Sequence, residues 1–244
     1  MTRTAVLSDI HGNLPALEAV IADAVAMGCD SFLNLGDSLS GPLWPTETAD
    51  LLIARDWPTI TGNHERQLFG RAPGPSDAFA AARLTDRHWR WIESLPPRLA
   101  LGDTLLCHGT LSSDIEHLLF CVNATGFRAA TDEEINERLG SAPAMTLCGH
   151  SHVAGERVLP DGRRVANPGS VGLQAYTDDR PHPYAVANDT PQARYAILKD
   201  GHLTFRRVDY DHRVAARRAR EGGFDAWATW LETGKASSIE QLTA

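Results

Sequence analysis

The stretch TAVLSDIHGNLPALEAVIADAVAM, residues 4–27, joins a short apolar segment to a polar cluster and then to a helical pattern. TAVL predicts a strand, and residues 14–27 predict a helix because their apolar side chains recur at helical spacing. Asn13 is the candidate N-cap of that helix. The stretch therefore predicts one strand and helix unit of an α/β protein, with polar residues placed where the strand ends.

The same alternation continues through the first half of the chain and favours a layered α/β sheet. Further strands are predicted there at SFLNL (31–35) and PTIT (58–61), and further helices over residues 46–55 and 76–94. The second half adds the predicted strands TLLC (104–107) and MTLC (145–148) and a helix over residues 132–139.

The second half changes to antiparallel pairing. LPDGRRV (159–165) and LKDGHLTF (198–205) each place Asp-Gly between apolar residues, which is a strong hairpin signal. Helices are predicted over residues 211–221 and 224–232.

No linker divides the two halves of the sequence cleanly, which favours a single domain over residues 1–244. Residues 111–140 form a candidate cap that shapes specificity, although ordinary core packing explains their apolar side chains equally well.

Composition excludes several classes of function. The 43% of hydrophobic residues is ample for a core, and the formal net charge of −8 argues against non-specific binding to nucleic acid or to an anionic membrane. No segment approaches the ~20 apolar residues of a membrane span, and the N-terminal apolar run is too short for a signal peptide. We therefore expect a cytoplasmic protein whose four cysteines are small buried residues.

Six polar clusters follow the predicted strands. In open α/β sheets ligands bind beyond the carboxyl ends of the strands, which is where these clusters fall. They are SDIHGN after TAVL, GDSLSG after SFLNL, TGNHER after PTI, HGT after TLLC, GHSH after MTLC and NPGS after RRVA.

The residue types in these clusters indicate a metal site. Carboxylate, amide and imidazole ligands together suit Mn²⁺, Fe, Zn²⁺, Ni²⁺ or Co²⁺ and suit Ca²⁺ poorly. Seven ligands are too many for one ion and about right for two. If Asp37 bridges two ions about 3.5–4 Å apart, His150 and His152 serve different ions. The candidate ligands are Asp9, His11, Asp37, Asn63, His108, His150 and His152.

Five motifs occur in an order that is specific to one superfamily. They are D-x-H (9–11), G-D (36–37), G-N-H-E (62–65), a histidine after a strand (His108) and G-H-x-H (149–152). In this order they resemble the calcineurin-like metallophosphoesterases, and NPGSVG (167–172) is similar to the small bacterial and archaeal phosphodiesterases among them. The resemblance implies a four-layer αββα sandwich of two mixed sheets flanked by helices, with a two-ion site at the sheet edge.

Carried over to this chain, the resemblance assigns a place to each candidate ligand. One ion would take Asp9, His11 and His152, the other Asn63, His108 and His150, and Asp37 would be shared. His64 would contact the phosphate and assist the leaving group, as a general acid or as a phosphate-binding residue.

The chemistry of such a site accounts for phosphate binding by an acidic protein. Two divalent ions bring four positive charges, whereas Asp9, Asp37 and a bridging hydroxide bring three negative ones. Metal coordination lowers the pKa of bound water to about 7, which predicts in-line attack of a metal-bridging hydroxide on phosphorus. Manganese is the first expectation for the ions, with Fe, Zn, Ni or Co as alternatives.

One motif of this chain differs from that of two subgroups of the superfamily, and this difference narrows the expected substrate class. The phosphoprotein phosphatases and diadenosine tetraphosphatases continue G-D with an Arg-Gly pair, whereas this chain reads GDSLSG at 36–41. We therefore expect a small phosphodiester, with a nucleotide as a candidate. The alternatives are a serine/threonine phosphoprotein or nucleotide phosphatase and a non-catalytic scaffold for protein partners; a homo-oligomer is compatible with the sequence.

Two arginines are candidates for the missing phosphate contact. For Arg66, phosphate contact and a surface ion pair are equally favoured. For Arg180, a position in a solvated loop is favoured over phosphate contact. Five other histidines lack motif context and are treated as non-catalytic: His88, His117, His182, His202 and His212.

Overall fold

The computed structural model of the chain describes residues 2–236 and contains two mixed β-sheets packed face to face. The strands are β1 (Thr4–Leu7), β2 (Ser31–Asn34), β3 (Arg98–Leu101), β4 (Thr104–Cys107), β5 (Phe120–Asn123), β6 (Gly126–Ala129), β7 (Met145–Leu147), β8 (Gly155–Val158), β9 (Arg164–Asn167), β10 (Ala175–Asp178), β11 (Tyr184–Ala187), β12 (Ala193–Lys199) and β13 (His202–Val208). The helices are α1 (Leu14–Ala26), α2 (Pro45–Arg55), α3 (Asn63–Leu68), α4 (Pro75–Ala81), α5 (Asp86–Ser94), α6 (Asp132–Leu139), α7 (His212–Glu221) and α8 (Asp225–Thr233).

Both sheets contain parallel and antiparallel strand pairs. The first sheet runs β13-β12-β1-β2 with β1 and β2 parallel. The second runs β3-β4-β7-β9-β8, with β4, β7 and β9 parallel and both edge strands antiparallel. Two separate hairpins, β5-β6 and β10-β11, complete the strands of the described residues. The predicted sandwich of two mixed sheets flanked by helices is confirmed.

Side chains of β1 alternate between two apolar layers of the core. Ala5 and Leu7 pack against α1 on one face of the first sheet. Val6 points to the other face and packs with Leu106 and Leu147 of the second sheet. Successive strand residues point to opposite faces, so one four-residue strand contributes to two apolar layers.

The predicted strand PTIT does not form. Thr59 makes a single parallel bridge with Asn34, where the Asn34 N–H donates to the Pro58 carbonyl and the Ile60 N–H donates to the Asn34 carbonyl. The N–H of Thr61 donates instead to the Pro96 carbonyl, which ends the pairing with β2. The segment therefore lies beside β2 without becoming a strand.

The predicted helix over residues 76–94 is two helices. Thr85 has an extended backbone and precedes α5 as its N-cap, with its N–H donating to Nδ1 of His88 at 3.1 Å. This capping arrangement starts a new helix and separates α5 from α4. The short helix α3, which begins inside the G-N-H-E motif, was not predicted.

The predicted hairpins and most helices are confirmed. Asp200 and Gly201 turn between β12 and β13 with φ values of 51° and 75°, which the Asp-Gly pair tolerates. Helix α6 occupies the predicted residues 132–139.

Residues 111–140 have two kinds of structure. Ile135 and Leu139 of α6 pack into an apolar cluster with Val165 of the second sheet, so α6 belongs to an outer layer. The β5-β6 hairpin instead stacks Phe127 on Tyr184 of β11. A specificity role for the hairpin stays a prediction. Within residues 2–236, no helix has the length and apolar character needed to cross a membrane.

Candidate metal centre

The loops that follow β1 and β2 in the first sheet meet the loops that follow β4 and β7 in the second. They bring six of the seven predicted ligands into two groups, and within each group the candidate ligand atoms lie within 4.8 Å of one another. These groups are the first cluster (Asp9, His11 and His152) and the second cluster (Asp37, His108 and His150).

The two clusters are adjacent. Nε2 of His108 lies 3.0 Å from Oδ2 of Asp37 in its own cluster and 3.8 Å from Oδ1 of Asp9 in the other. Asn63, the seventh predicted ligand, is the first residue of α3; it is buried and lines the cavity that contains His11 and His150.

Three of the four cluster histidines bond to backbone carbonyls through Nδ1. A carbonyl can only accept, so Nδ1 of each ring carries a proton, and Nε2 has the lone pair whenever the ring is neutral. Such a bond fixes the tautomer and the ring orientation that a metal ligand needs. The pairs are His11 with the Ser40 carbonyl at 2.8 Å, His108 with the Leu35 carbonyl at 2.7 Å and His152 with the Leu173 carbonyl at 2.7 Å.

His150 is held in the opposite sense. Its Nε2 lies 3.0 Å from the carbonyl of Ile115, so Nδ1 is the nitrogen with the free lone pair. Its ring stacks on His117 with centroids 4.5 Å apart and planes inclined by 24°. Both contacts come from the segment that follows His108.

The unpaired atoms of the site fit divalent cations. Nε2 of His11 and Nε2 of His152 lie 3.1 Å apart, and both are acceptors when both Nδ1 atoms donate to carbonyls. Oδ2 of Asp9 and Oδ1 of Asn63 are buried without a hydrogen-bond partner. Buried acceptors that face one another without a donor are costly unless a cation lies between them. The imidazole, carboxylate and amide set suits Mn, Fe, Zn, Ni and Co.

The backbone of the site is held in an unusual conformation. Positive φ values of 54–66° occur at five cluster residues: Asp9, His11, Asp37, His150 and His152. The left-handed region is uncommon for residues other than glycine and costs of the order of 1–3 kcal/mol where the residue is strained. Such conformations persist only where the surrounding structure holds them, and they cluster at functional sites. Their concentration on the candidate ligands therefore indicates a functional site.

Glu65 joins the loops that carry Asp37 and Asn63. Its buried carboxylate accepts from the N–H groups of Asp37, Ser38 and Gly62, each at 2.8 Å. Burial and the nearby Asp37 raise the pKa of Glu65. The same two loops touch at Gly36, where a Cβ would overlap the backbone of Gly62.

His64 lies beside the clusters and is oriented by Asp77 of α4. Nδ1 of His64 lies 2.7 Å from Oδ1 of Asp77, and Asp77 also accepts from the Ser40 hydroxyl. The His64 N–H donates to Oδ1 of Asp37 at 2.9 Å. Burial opposes protonation, but Asp37 and Asp77 outweigh it and raise the pKa of His64 to about 9. The ion-free protein therefore carries a cationic His64 at neutral pH.

A cavity of about 610 Å³ opens over the clusters. His64, Asp77 and Tyr176 are among the residues that line it. Helix α8 contributes Trp227 and Trp230 to the same cavity. Its volume lies within the range of small-molecule sites.

The two candidate phosphate-binding arginines lie at the cavity without contacting either cluster. Arg66 forms a bidentate pair with Asp114 at 2.7 Å for both bonds, and this hydrogen bonding raises the pKa of Arg66. The Arg180 side chain is 85% exposed. The structure thus contains the ion pair that was the alternative for Arg66, and phosphate contact by either arginine stays a prediction.

Sequence reasoning missed several residues of the site. Asp77, Trp227 and Trp230 come from helices outside the motifs, and only their tertiary packing brings them to the cavity. His117, which was treated as non-catalytic, is buried against His150, and burial lowers the pKa of His117 to about 2. Its Nε2 lies 3.1 Å from the Tyr184 hydroxyl, whereas Nδ1 has no partner.

Fold and site together define a metal-dependent hydrolase of the αββα class. The family model of the calcineurin-like phosphoesterase superfamily domain matches residues 2–190, and the chain belongs to that superfamily. The enzyme class predicted from the sequence, a metal-dependent phosphoesterase, is confirmed at the level of the family.

Two solved structures and one curated protein are similar to this chain. A metallophosphoesterase from Sphaerobacter thermophilus has a TM-score of 0.76 and 25% identity, covering 96% of this chain and 99% of that one. The hypothetical protein PH1004 from Pyrococcus horikoshii has a TM-score of 0.74 and 17% identity, covering 97% and 100%. The uncharacterised protein MJ0912 of Methanocaldococcus jannaschii is 36% identical over 67 residues, which is 28% of each chain.

Proposed function

We propose that this chain hydrolyses phosphodiesters with two divalent ions, of which manganese is the first candidate. The observation that carries the proposal is the pair of adjacent clusters, together with the hydrogen bonds that leave the Nε2 lone pairs of His11 and His152 facing one another 3.1 Å apart in the first cluster. Fe, Zn, Ni and Co remain the alternatives that the donor set allows.

Each of the seven candidate ligands has a place in this proposal. The first cluster would hold one ion, and the second cluster with Asn63 would hold the other, with Asp37 shared between them. When bound, two such ions supply a hydroxide nucleophile at neutral pH and stabilise the charge on the phosphoryl oxygens.

His64 has the position for proton transfer or phosphate binding. Its ring centroid lies 5.3 Å from that of His11, and Asp77 fixes the ring by accepting from Nδ1–H. The remaining nitrogen, Nε2, is free to give a proton to the departing oxygen or a hydrogen bond to a phosphoryl oxygen. Loss of the general-acid role would slow esters with poor leaving groups more than esters with good ones.

The position of the arginines at the cavity favours a diester over a monoester. A diester carries one negative charge at neutral pH and a monoester close to two, so the monoester needs more cationic partners. Within residues 2–236 the cavity is lined by two arginines, of which Arg66 is paired with Asp114 and Arg180 extends into solvent. A small nucleotide diester suits this balance.

The experiment compares initial rates of Mn²⁺-loaded protein on bis(4-nitrophenyl) phosphate and 4-nitrophenyl phosphate at neutral pH. We expect faster cleavage of the diester and loss of both activities with a chelator. Faster monoester cleavage would overturn the diester assignment. No cleavage of either ester by protein with two ions bound would favour the scaffold alternative.

The variant Asp37→Asn tests whether the clusters carry the activity. Asp23→Asn is the matched control, because Asp23 pairs with Arg206 and Tyr195, which belong to neither cluster and do not line the cavity. Full activity of Asp37→Asn would contradict the proposal.

A further inference from the structure

Helix α8 lies beyond residue 190, where the family model ends, yet it contributes to the cavity over the clusters. Trp227 and Trp230 are three residues apart and therefore share one face of the helix. Ala228 and Leu231 are buried and pack with α7 in an apolar cluster, and the two indoles pack against the same cluster while lining the cavity. The helix thus presents two indoles to the cavity and anchors them through its buried face.

The two indoles extend the site away from the clusters. The Trp227 ring meets His11 of the first cluster edge to face with centroids 5.8 Å apart. The Trp230 ring follows at 6.2 Å from Trp227, with planes inclined by 46°. Both tryptophans are only half-buried, so part of each ring is open to the cavity.

We propose that Trp230, supported by Trp227, is a stacking site for the nucleobase of the substrate. The inference rests on the proposed phosphodiesterase function and assigns its substrate class, a nucleotide ester. Aromatic side chains stack on any base, because every base has a π-face.

The placement of the rings favours a nucleobase over an aryl group attached directly to phosphorus. The ring contacts run from His11 to Trp227 and only then to Trp230, so a ring stacked on Trp230 lies one indole away from a phosphoryl group at the clusters. A pentose between phosphate and base fills such a gap. Thr177 and Asp178, which also line the cavity, offer a hydroxyl and a carboxylate to the polar groups of a sugar or base.

The experiment uses two diesters with the same leaving group, thymidine 5′-(4-nitrophenyl phosphate) and methyl 4-nitrophenyl phosphate. We expect the Mn²⁺-loaded parent to have the higher kcat/KM on the thymidine ester. Trp230→Ala should lower that value about 10- to 100-fold, as stacking energies predict, and change the methyl ester by less than about 2-fold. Trp230→Phe, which keeps a ring, should retain most of the preference.

Trp57→Ala is the matched control. Trp57 is also half-buried and stacks on Phe32 with centroids 4.4 Å apart, but it does not line the cavity. We expect it to leave both esters unchanged per folded molecule. An equal loss on both esters in Trp230→Ala, or no preference in the parent, would overturn the stacking site.

A binding measurement separates this inference from the proposed function. Calorimetry should show thymidine 5′-monophosphate binding about 10-fold more tightly than deoxyribose 5-phosphate to the parent, with the difference lost in Trp230→Ala. That result supports the stacking site even if no ester is cleaved, whereas equal binding overturns it. If phenyl phosphate loses as much affinity as the nucleotide in Trp230→Ala, the nucleotide assignment is wrong.

Discussion

The first and second clusters contain similar ligands but are held by different parts of the molecule. In the first, all three side chains are buried, and both histidines bond to carbonyls of segments packed in the core. In the second, His150 is only half-buried and bonds to the carbonyl of Ile115, a residue that is 57% exposed. The core therefore sets the geometry of the first cluster, whereas a surface segment completes the second.

Asp37→Asn should have the largest effect on activity, because Asp37 is the proposed ligand of both ions. The substitution should therefore affect both clusters alike. We expect kcat on a diester to fall about 100- to 1,000-fold, the cost typical of losing one preorganised charge-stabilising group. Asp23→Asn should retain activity. A fall of less than 10-fold would show that Asp37 serves neither ion.

Single histidine variants separate the clusters directly. Competition titration of the ion-free parent should show two ions, the second bound about 10- to 100-fold more weakly because its site is less well held. His150→Ala should lose the weaker ion and keep the tighter one, and His152→Ala should do the reverse. Equal affinities in the parent would contradict the comparison.

His117→Ala tests whether the stacking of His117 on His150 stabilises the second cluster. Removing the ring that stacks on His150 should weaken the weaker ion about 10-fold and leave the tighter ion unchanged, the size expected for a residue that orients a ligand. His88→Ala is the matched control, since His88 is equally buried but bonds to Asp50 and Thr85 in another region. Loss of both ions in His117→Ala would mean that it disturbs the whole site.

His64 gives the ion-free protein a distinctive pH dependence. Its pKa is raised from 6.5 to about 9, so its contribution to stability is fully present below pH 6.5 and is lost as the pH rises through 9. The difference in Tm between the parent and His64→Asn should therefore shrink between pH 6.5 and 9.5. A constant difference across this range would show that His64 is neutral throughout.

Arg66→Ala should have the smallest effect on stability. The Arg66 side chain is 56% exposed, and exposed ion pairs contribute about 0–1 kcal/mol, so urea unfolding should change by less than about 1 kcal/mol. Asp114→Asn breaks the same pair and keeps the arginine. A rise in KM for Arg66→Ala alone would reveal a phosphate contact, whereas equal behaviour of the two variants would leave the ion pair as its role.

Six of the seven candidate ligands could be predicted because each follows a strand of one of the two sheets. A strand of four residues determines where the next side chains lie, and Asp9, His108 and His150 all depend on that rule. PTIT does not form the predicted strand, but Asn63 after it still reaches the site. The bridge between Thr59 and Asn34 holds this segment beside β2.

The supporting residues could not be predicted in the same way. Asp77 orients His64 from a helix whose start depends on Pro75, and His117 reaches His150 only when its loop folds back over the second sheet. Trp227 lies 216 positions after the histidine that it contacts, His11. Such contacts arise from tertiary packing, which local spacing does not encode.

Each cluster takes side chains from both sheets, and this has a consequence for the life of the protein in a cell. His11 and His152 are separated by 141 residues, so an ion between them would close a very long loop and act as a reversible crosslink. Ligands that bind only the folded state shift the balance away from the unfolded chain that proteases degrade. A cell short of the metal would then lose the polypeptide itself by turnover, and pulse-chase abundance under metal limitation would measure that loss.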